Sequence, residues 1–238
     1  QGADIHTLAY KPKGVDVLWK PPRPPRELGV GPLPQGDSET LWHHYYRGGW
    51  NVILPNFGPA VVYNGAPLDF HGEAARTPWT LDELGETDLV AEVTMSATLI
   101  KSPLRVRRTM SVDSEQPVLS ITETVTNDGA EETACMWGHH PAYGPPLLSA
   151  DTVIDTGARS IESDDGSEIP GTDLALGETS DWPTVQGRHG GPVDMSRVPA
   201  PGSGLSRVLY LKDFAQGWYA LTNLELGLGV GVVWDASL

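Results

Sequence analysis

Apolar and polar residues alternate along residues 89–101. Leu89, Ala91, Val93, Met95, Ala97 and Leu99 fall on one side, and Glu92, Thr94, Ser96 and Thr98 on the other. A period of two predicts a β-strand with one buried face. Residues 104–112 repeat the pattern, with Leu104, Val106, Met110 and Val112 opposed to Arg105, Arg107 and Thr109. Lys101-Ser102-Pro103 supplies the turn between them. A Thr-rich strand at 118–126, the turn signal Asn127-Asp128-Gly129 and a further strand within 132–143 complete a predicted antiparallel meander. Near the end, Leu224, Leu226, Leu228, Val230, Val232 and Trp234 alternate with Glu225, Gly227, Gly229, Gly231, Val233 and Asp235. The glycines in register let another layer or a ligand come close.

The remaining chain reads as short strands and turns. Residues 1–20 predict two strands around Lys11-Pro12-Lys13-Gly14, residues 61–64 a strand ending in the turn Asn64-Gly65, and residues 151–156 another. Residues 207–213 and 217–223 predict a hairpin. Residues 20–26, with four prolines, read as a stiff extended segment that cannot enter a sheet interior. Residues 29–41 read as loop, and residues 42–58 as loop, short strand, loop. Residues 157–204 lack periodicity, and a loop of that length points to function or motion. There is no long helical pattern, internal repeat or linker. The expectation is an all-β chain, one domain over residues 1–238, built as a large antiparallel β-sandwich.

Composition narrows the function. Acidic residues outnumber basic ones 31 to 16, for a net charge of -15, which disfavours nucleic acid as a partner. No apolar stretch is long enough to span a membrane. Residues 1–10 have neither the basic nor the apolar region of a signal peptide. The single cysteine, Cys135, leaves no intrachain disulfide and fits a reducing, cytoplasmic setting. Eight tryptophans serve either core packing or platforms on which a sugar face can stack.

Two clusters carry the candidate chemistry. The first runs from Asn64 to Trp79 and holds His71, Glu73 and Arg76; the second, Met136 to Gly144, holds Trp137, His139 and His140. Adjacent strand residues point to opposite faces, so one of His139 and His140 faces a given cleft and the other supports it. An imidazole titrating near neutrality suits general acid–base chemistry. Histidines with a glutamate also suit a metal, but the spacing matches no metal motif. No Gly-X-Ser-X-Gly elbow is present, and the glycine-rich run 227–231 precedes no helix, so no phosphate or dinucleotide loop is expected.

Four segments, in order, are similar to the galactose mutarotase-like superfamily, the aldose 1-epimerases and their hexose-phosphate relatives. They are Gly48-Gly49-Trp50-Asn51-Val52-Ile53-Leu54-Pro55-Asn56-Phe57-Gly58, His71-Gly72-Glu73-Ala74, His140-Pro141-Ala142-Tyr143 and Val232-Val233-Trp234-Asp235. The resemblance implies a β-supersandwich whose first strands and last strand lie beyond both ends of this chain. It implies cofactor-free interconversion of sugar anomers: a base takes the C1 hydroxyl proton, an acid protonates the ring oxygen, and the ring opens and recloses. His140 then takes the acid role and His71 helps to hold the sugar. Asn56, Glu73, Arg76, Trp137, His139 and Asp194 are the further candidate sugar partners. The family's glutamate base has no counterpart in the matched segments. The expected partner is a small carbohydrate, with no metal and no cofactor. Two alternatives stand beside this: a non-catalytic carbohydrate-binding protein, and a metal-dependent sugar isomerase or lyase using His71, Glu73 and one of His139 and His140. All three need residues 71 and 140 to converge on one sugar-sized hollow.

Overall fold

The computed structural model describes residues 2–22, 36–165 and 169–236. Much of the proline-rich segment at 20–26 and part of the loop at 29–41 lie outside them. The fold is all-β, of the antiparallel sandwich class, with a single α-helix among the described residues. Two compact units divide the chain: Gln1–Gly14 with Leu18–Ala142, and Val15–Val17 with Tyr143–Leu238.

The first unit holds a four-stranded antiparallel sheet in the order Thr80–Glu86, Val90–Thr98, Leu104–Asp113, Leu119–Asn127. A meander is present, but its members differ from the expected ones. The strand at 80–86 opens it, and residues 132–143 do not join it. Ala134 N–H donates to the Tyr63 hydroxyl (3.0 Å) and Met136 N–H to Pro55 O (2.7 Å). Those bonds lead the chain away, and Gly138–Pro141 pairs instead with Trp50–Ile53. The alternating face is buried only at one end. Ala97, Leu99, Leu104 and Val106 pack with Val52, Leu54 and Ala74, whereas Leu89 is 54% exposed. Each fully buried aliphatic side chain contributes roughly 1.5–3 kcal/mol, so the core concentrates where the sheet meets the strand Trp50–Ile53.

One charged pair interrupts that apolar face. Arg108 and Glu123 are direct cross-strand partners, both essentially buried, with Nε and Oε1 3.2 Å apart. Arg108 also donates from Nη1 to Ala3 O (3.0 Å).

The second unit contains the sheet Thr152–Thr156, Gly217–Asn223, Leu228–Trp234 and the sheet Thr179–Asp181, Ser160–Ser163, Leu209–Lys212. The expected hairpin of residues 207–213 and 217–223 is therefore absent. Leu209–Lys212 pairs with Ser160–Ser163, while Gly217–Asn223 pairs with Thr152–Thr156 and Leu228–Trp234. Asp213, at φ 54°, turns the chain out of one sheet before it enters the other. The long region 157–204 also contains the pair Thr184–Gln186 and Pro192–Asp194. Ile161, Leu174, Val185 and Met195 form its core.

Candidate functional site

The helix Ser38–Tyr45 builds one wall of the site. Asp37 caps it, accepting from Thr40 N–H (2.8 Å) and satisfying one of the free donors at the first turn. Trp42 is its buried residue. Ser38 Oγ accepts from Phe70 N–H (3.0 Å), tying the helix to the loop that carries His71.

His71 sits at φ 55° and Gly72 at φ 69°. A Cβ at position 72 would lie 2.3 Å from Leu54 O, so the bridge between Leu54 and Gly72 requires glycine. His71 itself is held in the left-handed region, which costs about 1–2 kcal/mol for a residue with a Cβ. Reciprocal bonds offset this: His71 N–H donates to Gly58 O (2.9 Å), and Gly58 N–H donates to His71 Nδ1 (3.1 Å). An Nδ1 that accepts places the neutral ring's hydrogen on Nε2. Burial, with the charges of His140 and His43, pushes the imidazole down to about 4. His71 is a neutral hydrogen-bond donor at pH 7.

His140 reaches the same place from the strand Gly138–Pro141. Its ring centroid lies 5.6 Å from that of His71, 5.6 Å from Trp42 and 5.6 Å from Tyr46. Nδ1 is 3.5 Å from the Tyr46 hydroxyl, the outer limit of a hydrogen bond. Burial lowers the His140 pKa, so the resting imidazole is neutral. The acid role implied by the family resemblance needs an imidazolium, and the buried surroundings favour the other form. Tyr46 stacks on Trp42 at 4.5 Å, and burial followed by the Asp4 charge pushes its hydroxyl up to about 12. Phe57 and Phe70 close the group around His71.

His139 points the other way, as strand alternation requires. Its Nδ1 accepts from Trp50 Nε1 (2.8 Å), and its Nε2 donates to Glu123 Oε2 (3.1 Å). Trp137 Nε1 donates to the same oxygen (2.8 Å). His139 and Trp137 thus anchor the strand to Glu123, away from His71.

Glu73 is 6% exposed. Its carboxylate accepts from the N–H groups of Ile100 (2.9 Å) and Lys101 (3.0 Å). Those bonds hold a turn and leave little capacity for a sugar. Asn56 is buried and donates from Nδ2 to Asp69 O (2.9 Å), while its Oδ1 has no partner. Arg76 pairs with Asp69, which also takes Lys101 Nζ (2.6 Å). Asp194 belongs to the second unit, where it accepts from Ser196 N–H (2.8 Å) and Oγ (2.7 Å). Among the described residues no group of three His, Cys, Asp or Glu side chains is placed to hold a metal ion.

Near the imidazoles lies a solvent-open hollow lined by Asp4, Trp42, Tyr45, Tyr46, Arg47, Asn51, Ala75 and Arg76; Trp42 and Tyr46 also touch the histidines, which do not themselves line it. Burial pushes the Asp4 carboxyl up to about 6, against the lowering effects of its bond with Asn51 and of Arg108 and Arg47. Sequence reasoning missed Asp4, Trp42 and Tyr46. The available signal for the helix was Asp37-Ser38-Glu39-Thr40, an N-cap followed by polar first-turn residues.

No curated protein sequence matches the chain. Among solved structures, the Slr1438 protein from Synechocystis sp. PCC 6803 is similar at a TM-score of 0.57 and 14% identity, covering 92% of this chain and 66% of that one. This likeness concerns the fold alone. An Escherichia coli K12 protein described as a "Putative aldose 1-epimerase" gives a TM-score of 0.43 at 17% identity, covering 90% of this chain and 68% of that one. The chain spans about two thirds of the length of each. Residues 2–187 match the profile of the family described as Domain of unknown function (DUF4432), and the chain belongs to that family.

Proposed function

We propose that this protein is an aldose 1-epimerase-like isomerase, which interconverts the α and β anomers of a sugar by cofactor-free ring opening and closure. The reading is carried by one observation: His71 and His140, 69 positions apart, bring their rings to 5.6 Å in a recess walled by Trp42 and Tyr46. An indole and a phenol offer flat faces to sugar C–H groups. His71 Nε2–H, fixed by the Gly58 bond, donates to a sugar oxygen. His140 exchanges the proton through Nε2, which requires the tautomer whose ring hydrogen sits on Nδ1, the nitrogen 3.5 Å from the Tyr46 hydroxyl. The ordered motifs that resemble the aldose 1-epimerases support the same chemistry.

The test is polarimetric mutarotation of a panel of aldoses. His140→Ala lowers the catalysed rate by roughly 10²–10⁴-fold, the scale of losing one proton-transfer group. An unchanged rate removes His140 from the chemistry. The neutrality of both imidazoles favours a second reading, carbohydrate binding without turnover. Calorimetric sugar binding with no acceleration by the wild type would select it.

A further inference from the structure

We propose that Asp4 is the proton-donating partner of His140 in this site, so that the carboxyl gives a proton to the sugar ring oxygen while Nε2 of the imidazole takes one from the C1 hydroxyl. This rests on the anomer-interconverting reading above.

Geometry supplies the first argument. Asp4 lines the hollow together with Trp42 and Tyr46, and those two residues also contact His140. Tyr46 belongs to both sides: its hydroxyl is 3.5 Å from His140 Nδ1, and its own ionisation senses the Asp4 charge. Asp4 Oδ1 is buried without a partner, as is Oδ1 of Asn51, whose side chain bonds Asp4. Protonation turns the unpartnered carboxyl oxygen from a bare acceptor into a donor.

The proton inventory supplies the second. Among Asp4, Tyr46, His71 and His140, the environment separates the acid from the base. Asp4 is raised to about 6, Tyr46 to about 12, His71 is lowered to about 4, and His140 is lowered too. A carboxylic acid pushed up and an imidazole pushed down, linked through Tyr46, assign the acid to Asp4 and the base to His140. Tyr46 holds its proton too tightly, and His71 is already a fixed neutral donor. Among the charges acting on Asp4 are Arg108 and Arg47; both favour its ionised form, so the conjugate base left after transfer is stabilised, and Arg76 also lines the hollow.

The step balances without a co-reactant. His140 Nε2 takes the C1 hydroxyl proton, and that O–H pair forms the C1 carbonyl. The C1–O bond to the ring breaks, and the ring oxygen keeps the pair and receives the Asp4 proton. After rotation about C1–C2, closure returns one proton to Asp4 and one to the C1 oxygen.

The experiment measures kcat and KM against pH for the wild type, Asp4→Asn and Asp4→Glu, using the aldose that the wild type turns over fastest. Asp4→Asn keeps the hollow's shape and is expected to lower kcat by about 10²–10⁴-fold with KM within a few-fold. It should also abolish the fall in rate above about pH 6 that marks loss of the Asp4 proton. Asp4→Glu should restore part of the rate and bring that limb back. An active wild type beside a fully active Asp4→Asn, or an Asp4→Asn that keeps the high-pH limb, overturns the role of Asp4 alone. A wild type that accelerates no aldose overturns the enzyme reading and this proposal together. Loss of rate with a collapsed thermal transition is resolved by Asp4→Ser, which removes the acid in a smaller side chain and must show the same change in profile.

Discussion

Burial moves the Asp4 carboxyl and the His71 imidazole in opposite directions, and the two leave opposite marks on stability. Asp4 goes from 3.8 to about 6. Between those values the folded protein holds a proton that the unfolded chain has released, so Asp4 makes folding less favourable as pH rises through that window. The penalty is complete above it and absent below 3.8. His71 goes from 6.5 to about 4. Here the unfolded chain takes the proton first, so stability is lost as pH falls from 6.5 toward 4. Asp4→Asn should therefore stabilise the protein at pH 7.5 by on the order of 1–3 kcal/mol and not at pH 3.5, read from denaturant midpoints. Equal midpoints at both pH values would contradict the buried, raised carboxyl. His71 and His140 were legible as residues because short motifs carried them. Asp4 was not, because a lone aspartate near a turn has no sequence signature; only the packing around it changes its chemistry.

At the scale of elements, alternation made individual strands visible and left their partners hidden. The strands at 90–98 and 104–113 could be read because their apolar residues recur with period two. The pairing of Gly138–Pro141 with Trp50–Ile53 could not, since it joins segments nearly ninety positions apart and depends on bonds made by Tyr63 and Pro55. The helix Ser38–Tyr45 escaped because eight residues with one buried side chain show no apolar stripe. Arg108 was visible in principle: it sits at an even position among Leu104, Val106 and Met110, on the face that buries. A charge there requires a buried counter-charge, and Glu123 supplies it directly across the ladder. Glu123→Ala strips that partner, and the anchors of His139 and Trp137 with it. The expected cost is about 3–5 kcal/mol, as for other broken buried pairs, measured by denaturant unfolding. Glu73→Gln removes the charge from bonds to two backbone N–H groups, at a cost of roughly 1.5–3 kcal/mol, without needing any effect on sugar affinity. A large loss of sugar affinity at unchanged stability would return Glu73 to the list of substrate contacts.

At the scale of the whole chain, the two compact units are interleaved in sequence, because Val15–Val17 belongs to the second while both flanks belong to the first. Neither unit can be excised as one continuous segment. We keep a single cooperative domain as a proposal on that ground, with one calorimetric transition as its expected sign and two separated transitions as its contradiction. No helix among the described residues is long and apolar enough to cross a membrane. With a net charge of -15, the surface repels polyanions, so a neutral small molecule is the ligand that the electrostatics least oppose.

The account stands on His71 and His140 acting on one sugar. Exchange between the α and β anomeric protons of an equilibrated aldose, followed by magnetisation-transfer NMR, tests that most directly. Catalytic amounts of wild-type protein should raise the exchange rate for at least one aldose, and His140→Ala should return it to the buffer value. Exchange at the buffer rate for every aldose with the wild type, or equal acceleration by wild type and His140→Ala, would contradict it.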